Sequence, residues 1–196
     1  KEAHVHEFRS PEGKWDPIQF VNETCELKAS LTALVPAQLF DLIKEGLASP
    51  PFLRAVVIGG GAINEKVYQQ AIELGWKVLP SYGLTECCSQ VATAHLDSVG
   101  KGGFPLLKPL DHVEISTNHD ERLLIKSDSL LTCYVFIDQK RRTCSMMDPK
   151  VDRWFLTEDK VVIEEGGIRT ISRENNFVKI GGESVDLLRL ENILEE

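Results

Sequence analysis

Apolar and polar positions along the first hundred residues alternate between two periods. Apolar residues spaced by three and four positions predict three helices, with Pro36 at the start of the second and Asn64 as the cap of the third. These predicted helices cover residues 16–27, 36–46 and 63–75. Short β-rich runs predict strands, as does strict alternation near the amino terminus. These predicted strands cover residues 3–8, 30–36, 53–61 and 76–83.

The alternating order of strands and helices predicts an α/β layer with a parallel sheet and helices packed on its faces. Ligands of such sheets gather at the carboxyl ends of the strands. The glycines at residues 59–61 and the stretch at residues 81–86 both lie at predicted strand ends. We therefore expect these two segments to border the same crevice.

From about Gly100 the pattern changes to short strands with turns between them, which predicts an antiparallel β subdomain. A final helix is expected to open near Asp186. The seven predicted strands cover residues 112–117, 122–127, 131–137, 153–159, 160–167, 168–173 and 177–182.

Composition supports a globular protein, because 42% of the 196 residues are hydrophobic and 27% are charged. The net charge of -8 argues against broad binding of nucleic acid, which needs a basic face. No apolar run approaches the ~20 residues of a membrane span. The five cysteines form no CxxC pair, so we expect no disulfide framework and a reducing, cytoplasmic location. No pattern indicates an oligomeric state.

The predicted turn at residues 81–86 collects groups that suit a nucleotide phosphate. Tyr82 offers a ring face to a planar base, and Gly83 lets the chain turn. Thr85 is a hydrogen-bond donor for phosphate, and Glu86 is a hard oxygen ligand for Mg²⁺. A solvent-facing turn before a capped helix explains the same residues equally well. Similarly, the three glycines fit either a tight strand-to-helix turn or a surface for a bulky ligand.

Several segments, in the same order, resemble the ANL superfamily of adenylate-forming enzymes. They are VVIGGGAI, SYGLTE, SQVAT and VKIGGESVDLLRLENIL. Among members of that superfamily, the o-succinylbenzoate–CoA ligases of menaquinone synthesis look most similar. The resemblance implies ATP- and Mg²⁺-dependent adenylation of a carboxylic acid, followed by transfer of the acyl group to coenzyme A. The alternatives are another fatty-acyl or aryl-CoA ligase, a non-catalytic AMP-binding remnant, and a structural domain that binds nothing.

The resemblance assigns roles in nucleotide binding to the first group of candidate residues. Gly60, Gly61 and Ala62 would line the adenine, and Gly59 would border the acyl pocket. Tyr82 would stack on the base. These implied roles agree with the position of both segments at strand ends.

Catalytic roles are implied for the residues of the following turn. Gly83 would belong to the nucleotide-binding set, Thr85 would contact the α-phosphate, and Glu86 would help to hold Mg²⁺. Asp159 would accept hydrogen bonds from the ribose hydroxyls, although Glu158 stands where the family has glycine. Without the resemblance, Asp159 is better explained as a surface hairpin residue.

The carboxyl-terminal segment resembles the region around the family's hinge. Arg173 would meet the ribose or phosphate, and Asn175 stands where the family has its hinge aspartate. Lys179, Gly181 and Gly182 would line the coenzyme A tunnel during thioester formation. A solvated strand lysine and a hairpin turn explain the last three residues without any ligand.

The resemblance also implies a division of the chain. Residues 1–100 would be part of an α/β adenylate-binding subdomain, residues 101–174 a β subdomain, and residues 175–196 the hinge and the start of a small carboxyl-terminal domain. The family's glycine-rich phosphate loop and its carboxyl-terminal catalytic lysine have no counterpart in the sequence. We therefore expect these 196 residues to be inactive or very slow in adenylation by themselves.

Overall fold

The computed structural model describes residues 3–8, 13–138, 142–173, 177–180 and 183–186. The chain divides into two compact units. Lys1–Thr85 and Ser89–Leu110 form the first, called the α/β unit here. Glu86–Cys88 and Asp111–Glu196 form the second, called the β unit.

The α/β unit contains three helices and a five-stranded sheet in the order β1-β2-β3-β4-β5. The helices are α1 Pro17–Glu26, α2 Pro36–Lys44 and α3 Glu65–Glu73. The strands are β1 Leu31–Leu34, β2 Ala55–Ile58, β3 Val78–Leu84, β4 Ser89–Ala94 and β5 Leu107–Pro109. Strands β1, β2 and β3 are parallel, which confirms the predicted α/β layer.

The helix starts follow from local side-chain chemistry. Asp16 caps α1 by accepting a hydrogen bond from the backbone nitrogen of Gln19 at 2.9 Å. Asn64 caps α3 in the same way, accepting from the nitrogen of Val67 at 2.7 Å. Such caps satisfy backbone donors that have no partner within the helix. The predicted cap at Asn64 is confirmed.

The core of the α/β unit lies between the helices and the parallel strands. Its residues come from all three helices and from β1, β2 and β3. The fully enclosed members include Leu39, Leu42, Val56, Trp76 and Val78. Burial of such side chains supplies most of the free energy that holds helices against a sheet.

Strand β3 begins two residues later than the strand predicted over residues 76–83 and ends one residue beyond it, at Leu84. The turn expected at Ser81, Tyr82 and Gly83 is wrong, because β3 continues through these residues to Leu84. The chain reverses at residues 85–88 and returns as β4, antiparallel to β3. Pairing with β4 satisfies the backbone of these residues, so the strand extends as far as its partner does.

The β unit contains a four-stranded antiparallel sheet in the order β11-β10-β7-β6, together with two separate two-stranded ribbons. The sheet strands are β6 Val113–Thr117, β7 Arg122–Ser127, β10 Phe155–Glu164 and β11 Gly167–Arg173. The ribbons pair β8 Tyr134–Asp138 with β9 Thr143–Met147, and β12 Phe177–Ile180 with β13 Glu183–Asp186. The predicted antiparallel subdomain is confirmed.

Several predicted elements differ from the structure. Residues 3–8 form no strand, because no described segment pairs with them. The two strands predicted over residues 153–167 are one strand, β10, whose pairing with β7 shifts register between Leu156 and Lys160. Strands β4, β5 and β9 were not predicted. The helix expected after Asp186 lies outside the described residues.

All five cysteines are free. Within the described ranges, no helix combines the length and the apolar character that crossing a bilayer requires.

Candidate functional site

The glycine loop, residues 59–62, begins between the ends of the two strands that flank β2. The nitrogen of Gly59 donates a hydrogen bond to the carbonyl oxygen of Leu34 in β1 at 3.2 Å. On the other side, a Cβ added to Gly59 would lie 3.9 Å from Oγ of Ser81 in β3. The structure therefore places Gly59, the first of the three glycines, beside Ser81, the first residue of the SYGLTE stretch.

One of the three glycines is required by its own backbone conformation, and a second lies close to a side chain. Gly60 has a φ of +81°, a left-handed conformation that L side chains rarely adopt. A Cβ on Gly61 would lie 3.3 Å from Cγ of Pro36, which is tight. The tight-turn interpretation is thus supported at Gly60. Gly60, Gly61 and Ala62 are also exposed, so their backbone is open to a ligand.

The end of β3 carries the predicted base-stacking residue and the next glycine. Tyr82 is opposite Ala92 in β4 and is only 8% exposed, so its ring is largely packed within the protein. Gly83 is exposed, and a Cβ there would lie 1.9 Å from the carbonyl oxygen of Ser89. Only glycine allows β3 and β4 to approach this closely.

The reversal between β3 and β4 is a three-residue 3₁₀ turn, Thr85–Cys87, and not the start of a longer helix. Thr85 is exposed at its first position. Cys88 and Ser89 then adopt φ angles of 57° and 100°, which non-glycine residues rarely do. Such conformations persist only where surrounding contacts over-determine them, as they do at many functional sites.

Glu86 belongs to the β unit, where one segment holds both its backbone and its side chain. The nitrogen of Leu131 donates to the carbonyl oxygen of Glu86 at 2.7 Å. The hydroxyl of Tyr134, at the start of β8, donates to Oε1 of Glu86 at 3.1 Å. Burial, followed by the hydrogen bond and the negative charge of Glu86, raises the pKa of Tyr134. The phenol therefore keeps its proton and remains a donor.

The segment that holds Glu86 is itself anchored by a lysine. The ammonium of Lys150 donates to the carbonyl oxygens of Leu131 and Thr132 at 2.6 Å and 3.0 Å. It also forms an ion pair with Asp148 at 2.8 Å. Hydrogen bonds from Lys150 lower the pKa of Asp148. A second contact joins Sγ of Cys87 and Oγ of Ser129 at 3.3 Å.

Asp159 is not a surface residue, because it lies in β10 and is 2% exposed. Its nitrogen donates to Oγ1 of Thr157 at 3.1 Å, and its Cα is paired with that of Arg173 in β11. The structure thus places Asp159 and Arg173 opposite each other on neighbouring strands. The explanation of Asp159 as an exposed hairpin residue is wrong, since β10 continues through this position.

The remaining predicted residues fall near the carboxyl terminus. Lys179 lies in β12, and its Cα is paired with that of Ser184 in β13. Asn175, Gly181 and Gly182 lie outside the described residues.

The residues around Glu86 fit a magnesium ion that a nucleotide holds. No group of three or more metal-ligating side chains occurs among the described residues, so this part of the protein builds no cage of its own. Mg²⁺ usually takes one or two carboxylates and completes its shell with phosphates and water. Glu86 offers such a carboxylate, because Tyr134 binds only one of its two oxygens.

Sequence reasoning missed Leu131, Tyr134 and Lys150, which together hold Glu86 in place. Tyr134 was included only as one position of a predicted strand. The useful signal was a hydroxyl-bearing ring within the apolar run YVFI, since a half-buried phenol normally has a polar partner.

Comparison with known protein families gives an independent result. A family model described as AMP-binding enzyme matches residues 6–124, more than half of the chain. A 2-succinylbenzoate–CoA ligase of Bacillus pumilus is 27% identical over 192 residues, which cover 92% of this chain and 38% of the ligase. The chain therefore spans less than two fifths of that relative's length.

Solved structures show the same fold. Wild-type Escherichia coli MenE, with a bound m-phenylether-linked analogue of OSB-AMS, matches with a TM-score of 0.59 and 27% identity over 85% of this chain and 35% of that one. O-succinylbenzoate coenzyme A synthetase (MenE) from Bacillus subtilis, in complex with ATP and magnesium ion, matches with a TM-score of 0.70 and 20% identity. The latter match covers 93% of this chain and 39% of the synthetase.

Proposed function

Because the chain belongs to the AMP-binding enzyme family, we propose that it is the nucleotide-holding part of an acid–thiol ligase. In the full reaction, a carboxylic acid and ATP form an acyl-adenylate and release pyrophosphate, and the thiol of coenzyme A then displaces AMP to form the thioester. The proposed acid is o-succinylbenzoate, an intermediate of menaquinone synthesis. Support for this choice comes from the relative named 2-succinylbenzoate–CoA ligase, which matches 92% of the chain.

The observation that carries the proposal is that the glycine loop begins beside Ser81 of β3, the strand that ends at Leu84. Exposed backbone at Gly60 and Gly61 offers a surface without side chains, and the exposed hydroxyl of Thr85 lies at the end of the neighbouring strand. A purine monophosphate needs this combination, because its base packs on a flat surface and its phosphate accepts a hydrogen bond from a donor group. Positioning and electrostatic stabilisation are the main contributions of proteins to such transfers.

Within the α/β unit, Gly59 borders the acyl group, and Gly60, Gly61 and Ala62 lie along the adenine in this proposal. Tyr82 contributes its ring to the base, which requires part of the packed ring to become accessible when the nucleotide binds. Gly83 keeps the hairpin tight, and Thr85 donates to the α-phosphate. The hydroxyl of Thr85 acts where charge develops in the transition state, so its effect on the rate of adenylation is larger than its effect on nucleotide binding.

In the β unit, Glu86 supplies a carboxylate oxygen to Mg²⁺, and Asp159 accepts hydrogen bonds from the ribose. Arg173, paired with Asp159 through their Cα atoms, is proposed to meet the ribose or the phosphate. Lys179, with the glycines at 181–182, is proposed to serve coenzyme A, and Asn175 is proposed to act as the hinge.

Two further proposals concern the context of the chain. The proposed organisation is a partial adenylate-binding subdomain at residues 1–100, a β subdomain at 101–174, and the start of a small domain at 175–196. We propose a cytoplasmic location because all five cysteines are free thiols, as a reducing compartment keeps them.

The proposal is tested by calorimetric titration of the chain with an acyl-sulfamoyl adenosine mimic of the o-succinylbenzoyl adenylate. We expect saturable binding that AMP displaces and GMP does not. Thr85→Val removes the hydroxyl at nearly constant volume and is expected to weaken binding about tenfold, as loss of a hydrogen bond to a charged group does.

Thr117→Val is the matched control, because Thr117 is also an exposed threonine, lies at the end of β6 and has no proposed role. Its affinity for the mimic is expected to equal that of the wild type. The absence of binding at millimolar mimic, or equal losses in the two variants, would reject the proposed nucleotide site.

A further inference from the structure

Tyr134 donates a hydrogen bond to the carboxylate that the proposed function assigns to the metal. We propose that Tyr134 is a positioning residue, whose hydroxyl holds Glu86 in the orientation that receives the Mg²⁺ of a bound nucleotide. The inference rests on the proposed role of Glu86. It adds a residue to which the resemblance assigns no role.

Glu86 is held at both ends by a single short segment of the chain. The nitrogen of Leu131 binds its carbonyl oxygen at 2.7 Å, and the hydroxyl of Tyr134 binds its Oε1 at 3.1 Å. Glutamate has three side-chain torsions, so an unsupported carboxylate loses considerable entropy when a ligand fixes it. A carboxylate that is already oriented avoids most of this loss when the cation arrives.

The hydrogen bond leaves the carboxylate able to bind a cation. An ionised carboxylate has about four lone-pair sites, and Tyr134 occupies one of those on Oε1. The phenol is neutral at physiological pH, because the usual pKa of tyrosine is about 10. A lysine or arginine at this position would offset the negative charge of Glu86, whereas tyrosine orients the group and preserves that charge.

Tyr134 is held in place by contacts of its own chain segment, so its hydroxyl can orient Glu86. Lys150 bridges the carbonyl oxygens of Leu131 and Thr132, and Tyr134 is paired with Met147 as β8 joins β9. The backbone is therefore held both just before Tyr134, by Lys150, and at Tyr134 itself, by the pairing with β9. Groups that orient metal ligands typically change metal affinity by about 10- to 100-fold when they are removed.

The test is the Mg²⁺ dependence of ATP binding to the whole chain, measured by calorimetry at a series of Mg²⁺ concentrations and in EDTA. Tyr134→Phe removes only the hydroxyl. We expect the Mg²⁺ concentration for half-maximal tightening of ATP binding to rise about tenfold, while ATP affinity in EDTA stays unchanged. Electron paramagnetic resonance of bound Mn²⁺ gives a second readout, in which the variant is expected to bind Mn²⁺ about tenfold more weakly.

Two further variants separate the possible results. Tyr68→Phe is the matched control, because it deletes the same hydroxyl from a buried tyrosine in α3 of the other unit, and its Mg²⁺ dependence is expected to be that of the wild type. Glu86→Gln is expected to abolish the Mg²⁺ effect. If Glu86→Gln leaves that effect intact, or the wild type shows none, the proposed role of Glu86 fails and this inference fails with it.

The inference fails by itself if Glu86→Gln behaves as expected and Tyr134→Phe retains wild-type Mg²⁺ dependence. It is also overturned if Tyr134→Phe weakens ATP binding equally with Mg²⁺ and in EDTA, because the hydroxyl then supports only the fold. A selective loss of Mg²⁺ and Mn²⁺ affinity supports it.

Discussion

Strands β2 and β8 have similar apolar side chains, but the protein buries the first and exposes the second. Ile58 in β2 is 1% exposed, whereas Ile137 in β8 is 72% exposed. Strand β2 lies between β1 and β3, and its side chains join the core with residues of the helices. Strand β8 pairs only with β9 among the described residues.

The comparison shows that apolar sequence predicts a strand but does not predict what covers it. The residues of β2 are followed by a crossover helix, which packs on the sheet it connects. The residues of β8 are followed by a short connection to β9, which forms a ribbon with two solvent-facing sides. The same kind of side chain therefore contributes very differently to stability in the two regions.

The largest expected effect contrasts the two isoleucines directly. Ile58→Ala is expected to lower the free energy of unfolding by about 3 kcal/mol, because it leaves a cavity in a closed core. Ile137→Ala is expected to cost less than about 1 kcal/mol, since the side chain is already in water. Urea unfolding followed by circular dichroism measures both. Equal losses would remove the distinction between the two regions.

A second prediction concerns β3, which begins in the parallel layer and ends in the hairpin with β4. Gly83→Ala is expected to destabilise the protein by about 2 kcal/mol, because its Cβ would overlap the carbonyl oxygen of Ser89 and force the strands apart. Gly59→Ala is the matched control, since the nearest atom to its Cβ is 3.9 Å away. Thermal unfolding tests the pair, and a stable Gly83→Ala protein would contradict the close approach.

A smaller effect is expected at the start of α3, the helix that helps to cover the parallel strands. Asn64→Ala removes the acceptor for the nitrogen of Val67 and is expected to cost about 1 kcal/mol. Asn22→Ala, on the exposed side of α1, is the control and is expected to be neutral or slightly stabilising. Urea unfolding distinguishes them, and a neutral Asn64→Ala would show that the cap is dispensable.

The smallest effect concerns the exposed side of the β unit, at the ion pair between Asp148 and Lys150. Lys150 lowers the pKa of Asp148 below the usual value of 3.8, so the ionised form is favoured in the folded protein. Its stabilising contribution is therefore present above the unfolded pKa and is lost as the pH falls through the lower folded pKa. An NMR titration of the Asp148 carboxyl tests the direction, and a midpoint at or above 3.8 would contradict it.

Much of the parallel layer was predictable because its signals are local. Pro36 and Asn64 mark helix starts, and apolar runs mark β1, β2 and β3. Strand β4 was missed because its residues SQVATA pair with β3 through a turn whose closeness depends on Gly83. Strand β9 was missed because the residues TCSMM include one β-branched side chain and no aromatic ring, so their strand propensity is low.

The candidate site shows the same division between local and distant information. The positions of the glycine loop and Thr85 followed from the order of strands, since neighbouring parallel strands end at one edge. The contact between Glu86 and Tyr134 spans 48 residues, and no local pattern specifies it. The burial of Asp159 likewise depends on β10 continuing where the sequence suggested a turn.

The sequence alone determined the kinds of elements, their order and the segments that resemble adenylate-forming enzymes, because caps, periodicity and motifs act over a few residues. Only the tertiary structure decided that β3 pairs with β4, that Ile58 is enclosed while Ile137 is not, and that Tyr134 contacts Glu86. These outcomes depend on which distant parts of the chain come together, and no single segment contains that information.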